Sequence, residues 1–339
     1  MSDYRLGRRD FLKAGGASAL GASVTVPGMA APQAEAPPPQ SEAPPHEKGF
    51  PQLAIITEYS PEKLAFAASA GYQGVVVKVG RAFNPHLADS DIDAILAASR
   101  QTRVRIISIE CMGPNHIDSD PSRRSRANDE FVGCLEFAHR LGCKFVGTFS
   151  GGIRDASFDD QAKALAEVFG EKYLPVCDKL DISMGWENYP TFGNFATVPA
   201  AWDKVFALVP SRRLGLEFDP SHLVRQFIDP LRAAWDVRDR ILAVHAKDTE
   251  ITEPVLQQVG IHGQGWWRYR IPGQGLIDWP KFITVLLQVN FSGGIAVEHE
   301  DRFWDEPPSN NSAEFPQARK DGFILAQRFL SMYLPGRTS

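Results

Sequence analysis

The stretch Leu214–Val224, LGLEFDPSHLV, decides how the rest of the chain reads. It starts as an apolar strand and ends in Asp219-Pro220-Ser221-His222. Side chains alternate along a strand, so Leu214, Leu216 and Phe218 face one way and Gly215, Glu217 and Asp219 the other. Pro220 has no N–H to give a central ladder, which puts Asp219 at the strand's C-terminal tip with His222 just past it. Three further segments share this grammar. Ser183–Glu187 (SMGWE) runs into Asn188-Tyr189-Pro190, Ile241–His245 (ILAVH) into Ala246-Lys247-Asp248, and Gly294–Glu298 (GIAVE) into His299-Glu300-Asp301. Gly185, Ala243 and Ala296 stand two residues before the polar tip, and small inward residues leave space in a barrel interior. The four tips offer Glu187, Asp219, His245 and Glu298. Three carboxylates and an imidazole make an open oxygen–nitrogen set suited to a divalent metal.

Working outward, strand-like runs begin near Gln52, Gln73, Val104, Cys143, Ile182, Arg213, Ile241 and Gly293. Helical patterns lie between them: Ser60 capping Pro61 and onward to Gly71, then Asp89–Arg103, Asn128–Leu141, Gln161–Leu180, Pro199–Leu208, Pro230–Arg238, Trp279–Val289 and Pro316–Tyr333. Strict βα alternation predicts a parallel sheet with helices outside, and eight units predict a single closed (β/α)8 barrel, a TIM barrel, over residues 51–335. The longest gap between strands holds Gln257–Gly275, with His262, Trp266, Trp267, Tyr269 and several glycines. It reads as a lid or sugar-stacking wall on the catalytic face, which makes Trp266 and Trp267 substrate-binding candidates, or as a packed structural loop. Asn115–Arg126 reads as a second cover. Lys78, Glu110 and His116, near early strand ends, are lesser candidates for substrate contact.

The chain has 339 residues and a net charge of −5, which argues against a nucleic-acid surface. Its four cysteines, Cys111, Cys134, Cys143 and Cys177, lack C-x-x-C spacing and read as buried thiols rather than a disulfide framework. Residues 1–30 stand apart from the fold. Arg8-Arg9-Asp10-Phe11-Leu12-Lys13, the apolar run Ala14–Val26 and Gly28-Met29-Ala30 resemble a twin-arginine (Tat) export signal, with Gly7 where Ser or Thr is usual; a basic, Ala-rich tail is the bland alternative. The resemblance implies the Tat export machinery as a partner, a periplasmic or extracytoplasmic location, and a membrane anchor if the signal stays uncleaved. It also implies folding and metal loading before export. Residues 31–50 form a Pro-rich linker with nothing to bury.

The tips taken together resemble the xylose isomerase-like barrel superfamily, which holds sugar-phosphate isomerases, ketose 3-epimerases, inosose dehydratases and apurinic-site endonucleases. The resemblance covers about Gln52–Leu334 and rests on W-E-N at Glu187, E-x-D-P-S-H at Asp219 and His222, V-H-A-K-D at His245, P-G-x-G-x-I-D-W at Pro272–Trp279 and V-E-H-E at Glu298. It implies one divalent ion on Glu187, Asp219, His245 and Glu298, manganese first, with magnesium, cobalt or zinc as alternatives. It further implies that Glu187 and Glu298 work as acid and base on opposite faces of a sugar, that His222 and Lys247 contact substrate oxygens, and that Glu217 orients a ligand or His222 from behind.

Chemically, such a site removes a proton next to a carbonyl, and a cation on the carbonyl and hydroxyl oxygens stabilises the resulting enediolate. Return of the proton on the other face gives an isomerase or epimerase, the first expectation. Loss of a β leaving group gives a keto-sugar lyase or dehydratase, the alternative. A silent sugar-binding protein is the third reading. The expected export suggests an extracytoplasmic substrate rather than a phosphorylated intermediate, a free or oxidised sugar or a 3-keto-glycoside made by a partner oxidoreductase, and the resemblance implies a place in carbohydrate metabolism. The endonuclease branch needs extra histidines on early strands, where this chain has Lys78-Val79-Gly80 and Glu110-Cys111-Met112. The oligomeric state is left open.

Overall fold

The computed structural model describes residues 51–305 and 312–334. Along the chain run β1 (Gln52–Thr57), α1 (Pro61–Ser69), β2 (Gly74–Lys78), α2 (Asp89–Thr102), β3 (Arg105–Cys111), α3 (Pro121–Arg140), β4 (Phe145–Thr148), α4 (Phe158–Glu167) and α5 (Leu174–Leu180). Then follow β5 (Ser183–Glu187), α6 (Pro199–Leu208), β6 (Leu214–Phe218), α7 (Pro220–Val224), α8 (Pro230–Asp236) and β7 (Ile241–Ala246). The last stretch holds β8 (Asp248–Ile251), α9 (Glu253–Val259), β9 (Trp267–Arg270), α10 (Trp279–Gln288), β10 (Gly294–Val297) and α11 (Gln317–Ser331). Eight of the strands close a parallel barrel in the order β1-β10-β7-β6-β5-β4-β3-β2. These are the eight runs expected from the sequence. They are legible because strands buried on both faces read as near-continuous apolar runs.

Short polar caps and prolines decide where helices begin. The side chains of Ser60, Asp120, Ser157 and Asp229 accept backbone N–H groups at the starts of α1, α3, α4 and α8. Pro61, Pro121 and Pro230 follow three of them at the first helical position, where a missing N–H costs nothing. α3 starts well before the expected Asn128, because Asp120 and Pro121 supply a cap that the weak apolar pattern there conceals. Part of the expected cover Asn115–Arg126 is therefore helix. Between α4 and α5 the chain widens into a π-helical turn, Val168–Tyr173. Pro175 cannot donate to the turn before it, which accounts for the break in α-helical bonding.

The insertion after β7 is an antiparallel hairpin, β8 with β9, in which Thr249 pairs with Tyr269 and Ile251 with Trp267. Its base is tied by Asp248. That carboxylate accepts from Thr249 N (2.9 Å), Gly273 N (3.1 Å), Ile277 N (3.1 Å) and Trp279 Nε1 (3.0 Å). Gly273 has φ +89°, and a Cβ at Gly275 would collide with the Asp248 carboxylate. The P-G-x-G-x-I-D-W motif is thus the receptor for this one aspartate.

All four cysteines are buried free thiols, with Cys134 Sγ 3.1 Å from Cys111 Sγ. The expectation of a membrane-anchored location is corrected here: among the described residues no helix is long and apolar enough to cross a membrane. The longest, α3, carries Arg123, Arg124, Arg126, Asp129 and Glu130. The twin-arginine reading of residues 1–30 and the linker reading of 31–50 lie outside the described residues.

Candidate metal centre

The strands β5, β6, β7 and β10 are neighbours in the barrel, and their C-terminal ends carry Glu187, Asp219, His245 and Glu298. One ligand atom from each lies within 4.8 Å of the others, and all four residues are buried. Local structure aims each of them. Asp219 caps α7 with one oxygen, Oδ1, which accepts from Ser221 N at 2.8 Å, leaving Oδ2 for the cluster. The Asn188 side chain donates to Asp219 O and accepts from Asp219 N, both at 2.8 Å, fastening the tips of β5 and β6 together. This is the structural task of the asparagine in W-E-N.

His245 has two differently occupied sides. Its Nδ1 faces Glu298 Oε2 at 3.4 Å, Glu187 Oε1 at 3.5 Å and Asp219 Oδ2 at 3.9 Å. Its Nε2 faces Glu217 Oε1 at 3.2 Å and Glu110 Oε1 at 3.3 Å. Glu217 therefore lies behind His245, away from His222, and Glu110 stands beside it rather than in the open mouth. A Cβ at Gly147 would collide with the Glu217 carboxylate, so the buried acid occupies room that only glycine leaves.

Charge is dense here. Burial opposes ionisation at His245, but Glu217 and Glu187 hold its pKa well above the usual imidazole range. Burial also works against the Glu298 carboxylate, which Lys247, His245 and Lys78 nonetheless hold well below its ordinary value. Burial pushes the Glu217 carboxyl up to about 8. Lys247, 1% exposed, places Nζ 2.5 Å from Glu298 Oε2, 2.9 Å from Glu300 Oε2 and 3.1 Å from Asp219 Oδ2. Lys78 Nζ approaches the other Glu298 oxygen, Oε1, at 3.6 Å from the more open side.

These residues fit a divalent cation. Asp219 Oδ2 and both ring nitrogens of His245 are buried without a hydrogen bond of acceptable geometry. Buried polar atoms are normally satisfied, and an exception needs an explanation such as an ion. Three carboxylate oxygens and His245 Nδ1 form a donor set for a hard or borderline ion, and the carboxylates behind Nε2 hold the ring.

The other sequence candidates are placed as follows. His222 is fully buried, with Nε2 3.0 Å from Glu187 Oε1. Trp266 is buried, stacked on Phe227 at 5.7 Å. Trp267 packs edge-on against Tyr269 and lies 4.2 Å from the Arg225 guanidinium. The aromatic residue of this loop that reaches the cluster is Tyr269, whose ring lies 4.4 Å from Lys247 Nζ and whose hydroxyl is 2.8 Å from His222 Nδ1. Nothing in the sequence marks Arg225; Glu300 ends the V-E-H-E motif without a role of its own there, and only the fold-back of the hairpin distinguishes Tyr269 from other loop aromatics. His116 is fully buried between Tyr173 and Thr148.

A family profile described as xylose isomerase-like TIM barrel matches residues 64–319. The inosose dehydratase of Geobacillus kaustophilus (strain HTA426) is 23% identical over 254 residues, covering 70% of this chain and 79% of that protein. Among solved structures, 3-keto-D-glucoside 4-epimerase YcjR from E. coli aligns with a TM-score of 0.63 at 14% identity, covering 83% of this chain and 99% of that one. Mannonate dehydratase from Streptococcus suis serotype2 aligns with a TM-score of 0.64 at 15% identity, covering 84% and 94%. At such identities the solved structures establish a shared fold.

Proposed function

This chain belongs to the xylose isomerase-like TIM barrel family, and from that premise we propose that it is a divalent-metal-dependent sugar isomerase or epimerase. The observation that carries the reading is the convergence of Glu187, Asp219, His245 and Glu298 at the C-terminal mouth of the barrel, where this architecture keeps its chemistry. These four would hold the ion. Bound there, a divalent cation supplies Lewis acidity toward the carbonyl and adjacent hydroxyl oxygens of a sugar. Manganese is our first choice, because oxygen-rich sets with one imidazole suit it.

Glu187 and Glu298 stand at the two ends of an arc of four adjacent strands. A sugar between them presents one face to each carboxylate. One takes the proton from the carbon beside the carbonyl and the other delivers a proton to the opposite face. Lys247 and Lys78 flank Glu298 on its two oxygens and keep it ionised, ready to accept. Lys247 would also meet a substrate oxygen where negative charge grows. The substrate we propose is a free or keto sugar, 3-keto-glycosides included, as the name of the YcjR epimerase suggests by analogy.

A second reading, a keto-sugar dehydratase or lyase, is favoured by the Lys247 ammonium beside Glu298, which can protonate a departing oxygen, and by the relatives named inosose dehydratase. One experiment separates the two. Metal-loaded protein is incubated with ketoses, inososes and 3-keto-glycosides in heavy water and followed by NMR. Deuterium beside the carbonyl in a recovered or epimeric sugar supports the first reading. An unsaturated product supports the second. No exchange across the panel, together with no metal uptake by calorimetry, overturns both.

A further inference from the structure

Two of the four buried thiols are in contact. Cys134 Sγ lies 3.1 Å from Cys111 Sγ. Non-bonded carbon atoms pack no closer than about 3.5–4.0 Å, and sulfur is the larger atom. A disulfide bond measures about 2.05 Å, so the gap left to covalency is about 1 Å. The other two cysteines are engaged elsewhere: Cys143 Sγ donates to Ile106 O at 3.3 Å, and Cys177 is buried in α5. We propose that Cys111 and Cys134 are a modification site, a dithiol that an oxidant of the disulfide class converts to an intrachain disulfide, tying the end of β3 to the middle of α3 and stabilising the fold.

The backbone holds both partners still. Cys111 ends β3, where it pairs with Thr148 of β4, and its carbonyl accepts from Thr148 Oγ1 at 2.7 Å. Cys134 lies in α3 among the buried Phe131, Leu135 and Ala138. Closure therefore asks for rotation of two side chains rather than movement of an element. The step is thiol–disulfide exchange. One cysteine, as thiolate, attacks a sulfur of oxidised glutathione; that S–S bond breaks and one glutathione thiolate leaves. The second cysteine, as thiolate, attacks the protein sulfur of the mixed disulfide; the new S–S bond forms and the second glutathione leaves. Two cysteine thiols are oxidised, one glutathione disulfide is reduced, and the two cysteine protons end on the two glutathione thiols. Access sets the rate. Cys111 is 2% exposed and Cys134 fully buried, so the oxidant enters only on local opening of α3, and the finished bond is equally screened from reductants. The two cysteines stand 23 positions apart, and closing that loop removes freedom from the unfolded chain, which makes the oxidised form the more stable one.

The test is independent of the sugar chemistry. Full-length protein purified under reducing conditions is incubated with excess oxidised glutathione in urea below the unfolding transition, which raises the population of the opened helix. Remaining thiols are blocked with N-ethylmaleimide in denaturant, and the chain is cut with trypsin without reductant and read by mass spectrometry. The expected product joins peptide 106–123 to peptide 127–140, two hydrogen masses below their sum, while Cys143 and Cys177 carry maleimide. With urea removed, the oxidised protein melts about 5 °C above the reduced one, and a phosphine reductant applied in urea cancels the gain. Cys134→Ala shows no such gain; should that variant fold poorly, the two redox states of the parent make the comparison. Maleimide on both Cys111 and Cys134, a persistent glutathione adduct on either, or pairing of either with Cys143 or Cys177 overturns the site. An oxidised protein that melts no higher than the reduced one overturns the stabilising role.

Discussion

Two histidines, His116 and His245, are both fully buried at the C-terminal end of the same barrel, one in the early half and one in the late half. His116 follows β3 and has both ring nitrogens engaged, Nδ1 with Tyr173 Oη at 2.8 Å and Nε2 with Thr148 Oγ1 at 3.0 Å. The rings of Phe131, Phe169 and Tyr173 enclose it. His245 closes β7 and has neither nitrogen in a hydrogen bond of good geometry, with carboxylates on every polar side. The same residue type at the same depth does opposite work. The early histidine has both polar atoms satisfied internally and is finished as it stands. The late half leaves an imidazole and an acid short of partners, and a cation would complete it.

Changes in the late half carry the largest expected effects. Glu298→Gln removes a carboxylate there and lowers the rate of C–H exchange on the order of a thousandfold, the size expected for losing an acid–base group; NMR in heavy water measures it, and retained turnover removes Glu298 from the chemistry. Chelation of the metal comes next. Because the ion binds the native chain only, EDTA treatment lowers stability by about 2.7 kcal/mol if the free ion had been at about a hundred times its Kd; calorimetric Tm values with and without metal show whether the late half depends on it. Glu217→Gln weakens the support behind His245 and lowers metal affinity by about 10- to 100-fold while leaving the fold intact, read by titration calorimetry.

The smallest effect belongs to the early half. His116→Phe removes the bonds to Tyr173 Oη and Thr148 Oγ1, which keep Asn128 and the Cys111 carbonyl as partners, and costs about 0.5–1.5 kcal/mol of stability, without changing metal affinity; a loss of affinity would erase the distinction between the two halves. Its pH signature has a definite sign. Burial lowers the His116 pKa to about 3, below the ordinary value of about 6.5. The unfolded chain therefore binds a proton that the folded chain refuses. Stability is complete above about pH 6.5 and falls by about 1.4 kcal/mol per unit as the pH drops toward 3. The difference between the parent and His116→Phe in acid titrations of stability isolates that one proton.

Much of this architecture is legible in the residues. LGLEFDPSHLV and its three counterparts announce strand tips because a small residue, a polar tip and a break in pattern occur together, and the barrel brings those strands side by side into one arc. What stays hidden depends on contacts between distant segments. Tyr269 reads as one aromatic among several in a Gly-bearing loop until the hairpin folds it back over His222. His116 reads as a polar group near a strand end, yet Tyr173, 57 residues later, seals it. Glu110 stands at the end of an early strand, and only barrel closure sets it beside His245 Nε2. The start of α3 is concealed because Asp120 caps through local geometry rather than through apolar periodicity.

The clamp at Asp248 carries a consequence of another kind. One carboxylate gathers Gly273, Ile277 and Trp279, and tolerates no side chain at Gly275, so K-D and P-G-x-G-x-I-D-W are two halves of a single clasp. Across descendants of this chain those halves should be inherited or lost together. The segment strung between them, Tyr269 beside His222 excepted, can be lengthened, shortened or rewritten like a cassette swapped into a fixed housing, while the barrel beneath keeps its register.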